Sequence, residues 1–562
     1  MSKIKVGLAL GCLALTLIAG MCASGFVMLF LLKASHVPWT WNTYWKYFQI
    51  LGRPDVAPYA DTVKAAGLVG FGVPLILWTF LLVKLFKRIA PATHGEARFA
   101  QRGELSRQGL LKPTGNGIVI GKTGNDLLRL HGTRHALLAA PTRSGKGVGA
   151  VIPNLLTYGD SVVMLDIKQE AYDLTSGWRS KLGPVFLFNP FAEDLHTHCW
   201  NPMSYVNDDA TFRTTDLQAI AAILYDDEGG SDPFWTNSAR NCFLAASLYL
   251  FEQWDHERRR GKKRGRGGIP TPGRIYRLFS GDGIDLKAYL RRLAAQPFLS
   301  PDTRTAFANL TTLADQTLAS VIGSFQAPLH IFLNPILDKA TSSDSFRLTD
   351  LRRRAMSIYV GISPHKLAES SKILNLFFSQ AINQNVKELP EKNPALKHQC
   401  LILLDEFTAL GRVDIVARSI SYLAGYNLRI FTVIQSLSQL DATYGRDVAR
   451  SMVTNLACQI IYTPREQNDA NEYSEMLGYT TLRKRNETRS NGRERNMSYT
   501  EVEERRALML PQELKALSPE EQIIFIEGSP HPIRCGKIRY YTDRFFKKRL
   551  LPKIDVPKLS LH

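Results

Sequence analysis

Hydrophobic residues are distributed along this chain in three different ways, and each way predicts a different kind of element. Near the start they are continuous. Val6 to Leu32 is an uncharged, mostly apolar run of about 27 residues and Ala65 to Val83 a second of about 19, each long enough as a helix to cross a hydrocarbon layer roughly 30 Å thick. A cleaved signal peptide fits the first run poorly, because its apolar part far exceeds that of an ordinary leader. Farther on, the apolar residues come in short bursts that stop at a polar residue. Ala136 to Ala140 runs into "APTRSGKGVG", "SVVMLD" ends at Asp166, "CLILLDE" ends at Asp405 and Glu406, and "LRIFTVIQ" ends at Gln435. Such bursts predict buried strands of a parallel sheet whose carboxyl ends converge on one crevice.

Between the second and third bursts the period becomes helical. "TDLQAIAAILY", "NSARNCFLAASLYLFEQW" and the run Thr303 to Phe325 all follow it, the last placing Phe307, Leu310, Leu313, Leu318, Val321, Ile322 and Phe325 on one face. The chain therefore reads as α/β with an all-α insert at 208–330, preceded by a membrane segment at 1–90 with spans near 6–32 and 65–83. The α/β part falls into two stretches, 91–207 and 331–562. A helix is expected to begin after Lys146, kinked or shortened by Pro153.

The candidate chemistry lies at the ends of the bursts. Thr142, Arg143, Ser144, Gly145, Lys146 and Gly147 follow the first one. A Gly-rich turn at a helix N-terminus cradles phosphates with its backbone N–H groups, and a lysine there faces the β- and γ-oxygens. Two positions depart from the usual phosphate loop: Ala140 stands at the opening glycine, and Gly147 where serine or threonine holds magnesium. Magnesium then needs Ser144, Thr142 or water, together with an acid at a neighbouring strand end. Asp405 supplies that acid, and the adjacent Glu406 can polarise an attacking water in a Walker B pattern. Gln435 ends the next strand, where it can contact the γ-phosphate. Three ordered pieces together predict an ATPase using ATP and Mg2+.

Charge adds a partner class. Lys+Arg number 70 against 51 Asp+Glu, a formal +19, which favours an anionic partner such as nucleic acid or the inner face of a membrane. Seven basic residues (Arg258, Arg259, Arg260, Lys262, Lys263, Arg264, Arg266) crowd "RRRGKKRGRGG", a nucleic-acid contact or a solvated loop. "RKRNETRSNGRERNMS", Arg483 to Ser498, reads as an exposed insertion. Lys3, Lys5, Lys84, Lys87 and Arg88 flank the spans on one side, against Lys46 and Arg53 in the intervening loop, so both termini are expected in the cytoplasm. Trp39, Trp41, Tyr44, Trp45, Tyr47 and Phe48 form an aromatic belt at the other interface. The seven cysteines form no C-x-x-C pair, which points to a reducing compartment and away from a disulfide framework.

"APTRSGKGVGAVIPNLL", "VVMLDIKQEAYDLTSGWR", "DPFWTNSARNCF", "LLDEFTALGR" and "VIQSLSQLDATYG" resemble, in order, the signatures of type IV coupling proteins, the TraG-type ATPases of conjugation and type IV secretion. Glycine after the loop lysine is common in that family. The resemblance implies a RecA-like P-loop motor in the bacterial inner membrane that forms a homo-oligomer, a hexameric ring. It would pass relaxase-bound single-stranded DNA or protein substrates, with accessory proteins of a DNA transfer complex, to the inner-membrane components of a secretion channel. Lys146 would bind phosphate, Asp405 organise magnesium, Glu406 activate water and Gln435 sense the γ-phosphate, while the helical insert would recognise substrate complexes. Ring motors also supply an arginine from the neighbouring subunit. Arg418, expected mid-helix, is the candidate, ahead of Arg412 in a turn and Arg429 beside the sheet, although the family's usual position falls nearer Ala424. Two other classes stay open: an FtsK-like DNA motor, and a substrate-docking receptor in which ATP binding is only a structural switch.

Overall fold

A computed structural model of the chain describes residues 3–34, 36–86, 93–225, 232–260, 268–280, 283–489 and 497–561. It divides into two compact units, Met1–Thr93 and His94–His562. In the first, helices Lys3–Leu31 and Ala60–Phe86 carry the two apolar runs. The second begins five residues ahead of its apolar run because Asp61 in its first turn favours the positive end of a helix. Leu15, Phe26, Leu68 and Phe80 face outward, as side chains in contact with lipid would. Small residues make the contact between the helices: a side chain added at Gly20 would strike Phe71 and one at Gly70 the backbone of Ser24, while one at Gly67 would strike the Tyr44 hydroxyl of the intervening segment. Lipid provides no hydrophobic drive between helices, so close approach at small residues holds such a pair. The intervening helix Thr43–Gln49 buries Tyr44 and exposes Trp45 and Phe48, with Trp39 and Trp41 exposed just before it. Lys87 and Arg88 lie outside the described residues.

The second unit is built on a sheet whose strands are β1 (Ile118–Thr123), β2 (Asp126–Leu130), β3 (Ala136–Ala139), β4 (Ser161–Asp166), β5 (Val185–Phe188), β6 (Ser357–Gly361), β7 (Cys400–Leu404), β8 (Leu428–Ile434) and β9 (Cys458–Ile461). β10 (Tyr479–Arg489) and β11 (Met497–Ala507) form a separate antiparallel hairpin, and β12 (Glu521–Ile526) and β13 (Ile533–Gly536) rejoin the main sheet. The order is β2-β1-β13-β12-β9-β3-β8-β7-β4-β6-β5. From β9 to β5 all neighbours are parallel; β12, β13, β1 and β2 extend the sheet antiparallel. The four expected strands are β3, β4, β7 and β8, which lie side by side. β3, β4, β7 and β8 are buried along their whole length, the condition of a parallel sheet covered on both faces.

Helices from Ala210–Leu224 to Pro335–Ala340 form the insert, so the helical stretch continues ten residues beyond 330. Four of its helices start with a side-chain cap followed by proline, at Asp232, Thr271, Ser300 and Asn334, a pairing that satisfies one free N–H and dispenses with another. Phe243, Phe307, Leu318, Val321 and Phe325 share one core with Val163, Leu165 and Ile402 of the sheet. One expectation is corrected and one gains detail. The run Thr303 to Phe325 is two helices, Pro301–Thr311 and Asp315–Gln326; the chain turns at Leu313 and Ala314, and the apolar residues stay on the core side of both. The exposed insertion at Arg483 to Ser498 is strand over its described part: β10 and β11 enter and leave it, with Arg483 paired to Glu503 across the hairpin at 3.0 Å. Opposite charges across two strands support pairing where no apolar pattern signals it.

The small-residue contact is directly testable. Gly70→Leu should separate the two apolar helices and lower the amount of protein recovered in the membrane fraction. Gly72→Leu, whose added side chain meets nothing within 4 Å, should leave it unchanged.

Candidate active site

The parallel order brings the ends of β3, β8, β7 and β4 to one edge of the sheet. After Ala139 the chain makes a tight turn in which Pro141 O accepts Ser144 N at 3.2 Å and Ser144 Oγ at 2.6 Å. Arg143 and Gly145 adopt φ of 63° and 85°, left-handed values that glycine takes at no steric cost and arginine only where the fold imposes them. Lys146 then caps a turn of π-helix, Gly147–Val151, that passes into α-helix Ile152–Leu155. The wide turn is the outcome of Pro153: it lacks an N–H, and the Ile152 N–H reaches back five residues to Gly147 O. A side chain at Gly149 would collide with the Tyr462 hydroxyl, so glycine there lets the helix lie against the sheet.

Lys146 Nζ lies 2.8 Å from Glu406 Oε1 and 3.5 Å from Asp405 Oδ1, with all three side chains largely enclosed. Burial is the chief cause that raises the Asp405 carboxyl above the usual carboxylate range; the lysine opposes it, and the Glu406 charge adds to it. Glu406 itself has φ 55° and ψ 50°, a second strained residue at the same spot. Gln435 follows β8, the strand between β3 and β7, and accepts a hydrogen bond from Thr142 Oγ1 at 3.1 Å. Thr142, Lys146, Asp405, Glu406 and Gln435, drawn from three segments, therefore form one site. The hydroxyls considered as magnesium ligands both already donate, Ser144 to Pro141 O and Thr142 to Gln435.

A match over residues 94–559 to the family model described as "Type IV secretory system Conjugative DNA transfer" accounts for this arrangement. The chain belongs to that family. It is similar to Protein VirD4 of Rhizobium radiobacter, 32% identical over 87% of this chain and 70% of the relative, and to the conjugal transfer protein TraG of Escherichia coli, 27% identical over 93% and 88%. The plasmid coupling protein TrwB in complex with ADP and Mg2+ shares the fold, with TM-score 0.55 at 16% identity over 80% of this chain and 96% of that one. As a member of the family the chain is a coupling protein of conjugative DNA transfer.

Other residues expected in this coupling protein's sites lie apart. Arg418 is exposed in the last turn of helix Asp414–Ser419, rather than mid-helix, and pairs only weakly with Asp414 at 3.9 Å. Arg412 bonds Asp414 at 2.6 Å. Arg429 is fully buried and donates to the carbonyls of Arg134, Asn116 and Leu130, so it serves the sheet. Arg258 stacks on Trp254 at 4.7 Å and approaches Asp208 and Asp255 at 3.8 and 3.7 Å. Arg259 ends the long helix and Arg260 follows it, while Lys262, Lys263, Arg264 and Arg266 lie outside the described residues.

Two cations missed by motif reading brace the loop. Arg465, after β9, donates to Thr142 O at 3.1 Å and lines a cleft of about 320 Å³ with Gln435, Gln439, Glu466 and Asp469. Lys537 Nζ stands 3.5 Å from Ser144 O and 3.8 Å above the Tyr462 ring, and burial pushes its amine down to about 8. Neither has a local signal, since each acts on a segment hundreds of residues away.

Asp166 ends β4 and is a structural cap: it accepts the Tyr172 N–H at 2.7 Å and the Ala171 N–H at 3.4 Å. Burial pushes its carboxyl up to about 7, against those two bonds and with a smaller push from Asp405. Between the unfolded value of 3.8 and that pH the folded state holds a proton the unfolded chain has lost. Stability should therefore fall as pH rises through this window, by at most about 1.4 kcal/mol per unit. Asp166→Asn keeps one acceptor oxygen, enough for the shorter bond from Tyr172, and removes the titration, so unfolding curves of the variant should lose that part of the slope. An identical slope in variant and parent would exclude Asp166 as its source.

Proposed function

We propose that this coupling protein is an inner-membrane ATPase, with both termini in the cytoplasm, that hydrolyses ATP to deliver relaxase-bound single-stranded DNA or protein substrates to a type IV secretion channel. The observation that carries the reading is the convergence of Lys146 on Asp405 and Glu406, about 260 residues away. An incoming γ-phosphate would take Lys146 from the acids and receive backbone N–H groups at the start of the helix. Glu406, released from the lysine, would take the proton of an attacking water, and Gln435 would exchange Thr142 for the phosphate or that water.

Asp405 Oδ1 is enclosed, with the Lys146 ammonium 3.5 Å away and too distant for a good hydrogen bond, so it would be free to face Mg2+ once the lysine turned to a phosphate. Among the described residues no cluster of three or more acidic, histidine or cysteine side chains surrounds it, so phosphate oxygens and water would complete the shell, the usual way magnesium is held. When bound, the ion would neutralise charge on the transferring phosphoryl group. An added side chain at Gly147 would meet nothing within 4 Å, so crowding is not what excludes a hydroxyl there.

Lys146→Ala should reduce ATP hydrolysis and transfer by several orders of magnitude with membrane insertion intact, since it removes the phosphate contact. Glu406→Gln should retain ATP binding but hold the nucleotide uncleaved, measured as bound ATP against released phosphate. Normal hydrolysis by either variant refutes the assignment.

We further propose that the protein works as a ring, a hexamer, with Arg418 offered to the neighbouring subunit. Its exposure and weak pairing leave it available for that role. Mixing Arg418→Ala with Lys146→Ala subunits should restore part of the ATPase rate, because some interfaces then join an intact loop to an intact arginine. Full activity of Arg418→Ala alone removes it from the mechanism.

A further inference from the structure

The last stretch of the chain makes a second concentration of charge, remote in sequence from the phosphate loop. Helix Arg544–Lys547 and the residues after it pack near the end of helix Glu170–Arg179. A cleft of about 580 Å³ opens there, lined by Trp178, Arg544, Phe545, Lys548 and Arg549. The lining holds three cations, two aromatic rings and no acid. Nearby carboxylates are committed elsewhere: Asp543 pairs with Lys122 at 2.6 Å and Asp173 with Lys553 at 2.9 Å. Among the described residues no ion pair reaches Arg544, Lys548 or Arg549.

Arg549 is the centre of the cluster. Its guanidinium lies 4.8 Å from the Trp178 ring and 3.7 Å from the Phe545 ring, while Lys181 approaches the Trp178 ring at 5.9 Å. Arg549 Nη1 is enclosed without an acceptor, and Arg129 is close enough to repel it. Like charges crowded beside the cleft are unfavourable by themselves, and an anion bound there offsets the repulsion. Phe545 is 40% exposed, leaving apolar ring surface beside the cations. Phosphates at regular spacing together with flat bases match this combination better than carboxylates alone, because single strands bind where a basic groove runs beside stacking rings.

We propose that this cleft is a docking site for single-stranded nucleic acid, with phosphates on Arg544, Lys548 and Arg549 and a base against Phe545. The inference rests on the reading of DNA as cargo and adds a place on the chain that holds it. The test uses the full-length protein in detergent with a fluorescein-labelled oligothymidylate, titrated over a range of salt. Arg544→Gln with Lys548→Gln should weaken binding and lower the salt slope by about 1.4, the value for two lost phosphate contacts on a single strand. Phe545→Ala should weaken binding about tenfold with the slope unchanged. ATP hydrolysis without DNA should stay at the parent rate in both variants, which shows that the fold is intact. Parent-like affinity and slope in both variants would overturn this site while leaving the DNA reading in place; absence of oligothymidylate binding by the parent protein would overturn both. If the charge variants lose binding to phosphatidylglycerol vesicles, or to a poly-glutamate peptide, while their oligothymidylate affinity is unchanged, the cleft serves a lipid surface or an acidic protein and the proposal fails.

Discussion

The site depends on the register in which β8 pairs in parallel with β3 on one side and β7 on the other. Ala139 lies opposite Ile434, and Leu404 opposite Thr432. This alignment starts the phosphate loop and the acid pair at nearly the same height. A slip of one residue would move either by roughly 3.3 Å and turn its side chains to the opposite face, which the 2.8 Å contact between Lys146 and Glu406 could not survive. Buried polar groups at the far end of the strands hold the alignment. Arg429 satisfies three carbonyls from other segments. Burial pushes the His135 imidazole down to about 4, so the ring is neutral, and its Nδ1 accepts the Ile430 N–H while Nε2 faces Ile420 O. Groups that must be paired when buried admit few alternative registers.

The helical insert hangs from the same sheet. The chain leaves after β5 and returns at β6, its immediate neighbour, so the two necks of the insert meet. Trp200 N bonds Ala340 O at 2.9 Å and Ser345 N bonds Cys199 O at 2.9 Å. Within the insert, buried Arg213 reaches Asp255 at 2.9 Å and the carbonyls of Asn207 and Asp208, and Glu252 accepts from Ser300 and Thr303. Because the apolar core runs without a break from insert to strands, movement of the insert would be felt at β4, which ends at Asp166, and at β7, which leads into Asp405.

A third tie comes from the C-terminal segment. It passes the P-loop helix, where Ile538 O lies close to Gly149, crosses helix Glu170–Arg179 so closely that a side chain at Gly177 would meet Pro552 O, and reaches Leu195 O through the Leu559 N–H at 2.8 Å. Residues at opposite ends of the sheet are thereby joined by one extended segment. Lys537 at its start faces the phosphate loop, and the basic and aromatic cleft lies midway along it. The segment thus links the nucleotide loop to the proposed cargo contact through continuous chain.

Local pattern alone determined the two apolar helices, the four central strands and the catalytic candidates Lys146, Asp405, Glu406 and Gln435, because burial on both faces of a strand and a phosphate-binding turn are properties of contiguous residues. The charge of the loop at 258–266 was equally legible, but charge without position does not name a partner. Only the tertiary structure decided the break at Leu313, the hairpin at Tyr479–Arg489, and the roles of Arg429, Arg465, Lys537 and Arg549. Apart from the break, each rests on groups that folding brings together: cross-strand charges for the hairpin, backbone carbonyls for Arg429, Arg465 and Lys537, and the Trp178 ring for Arg549. A side chain whose partner lies hundreds of residues away carries no periodicity and no motif, so its function is set by the folded sheet that brings the two together.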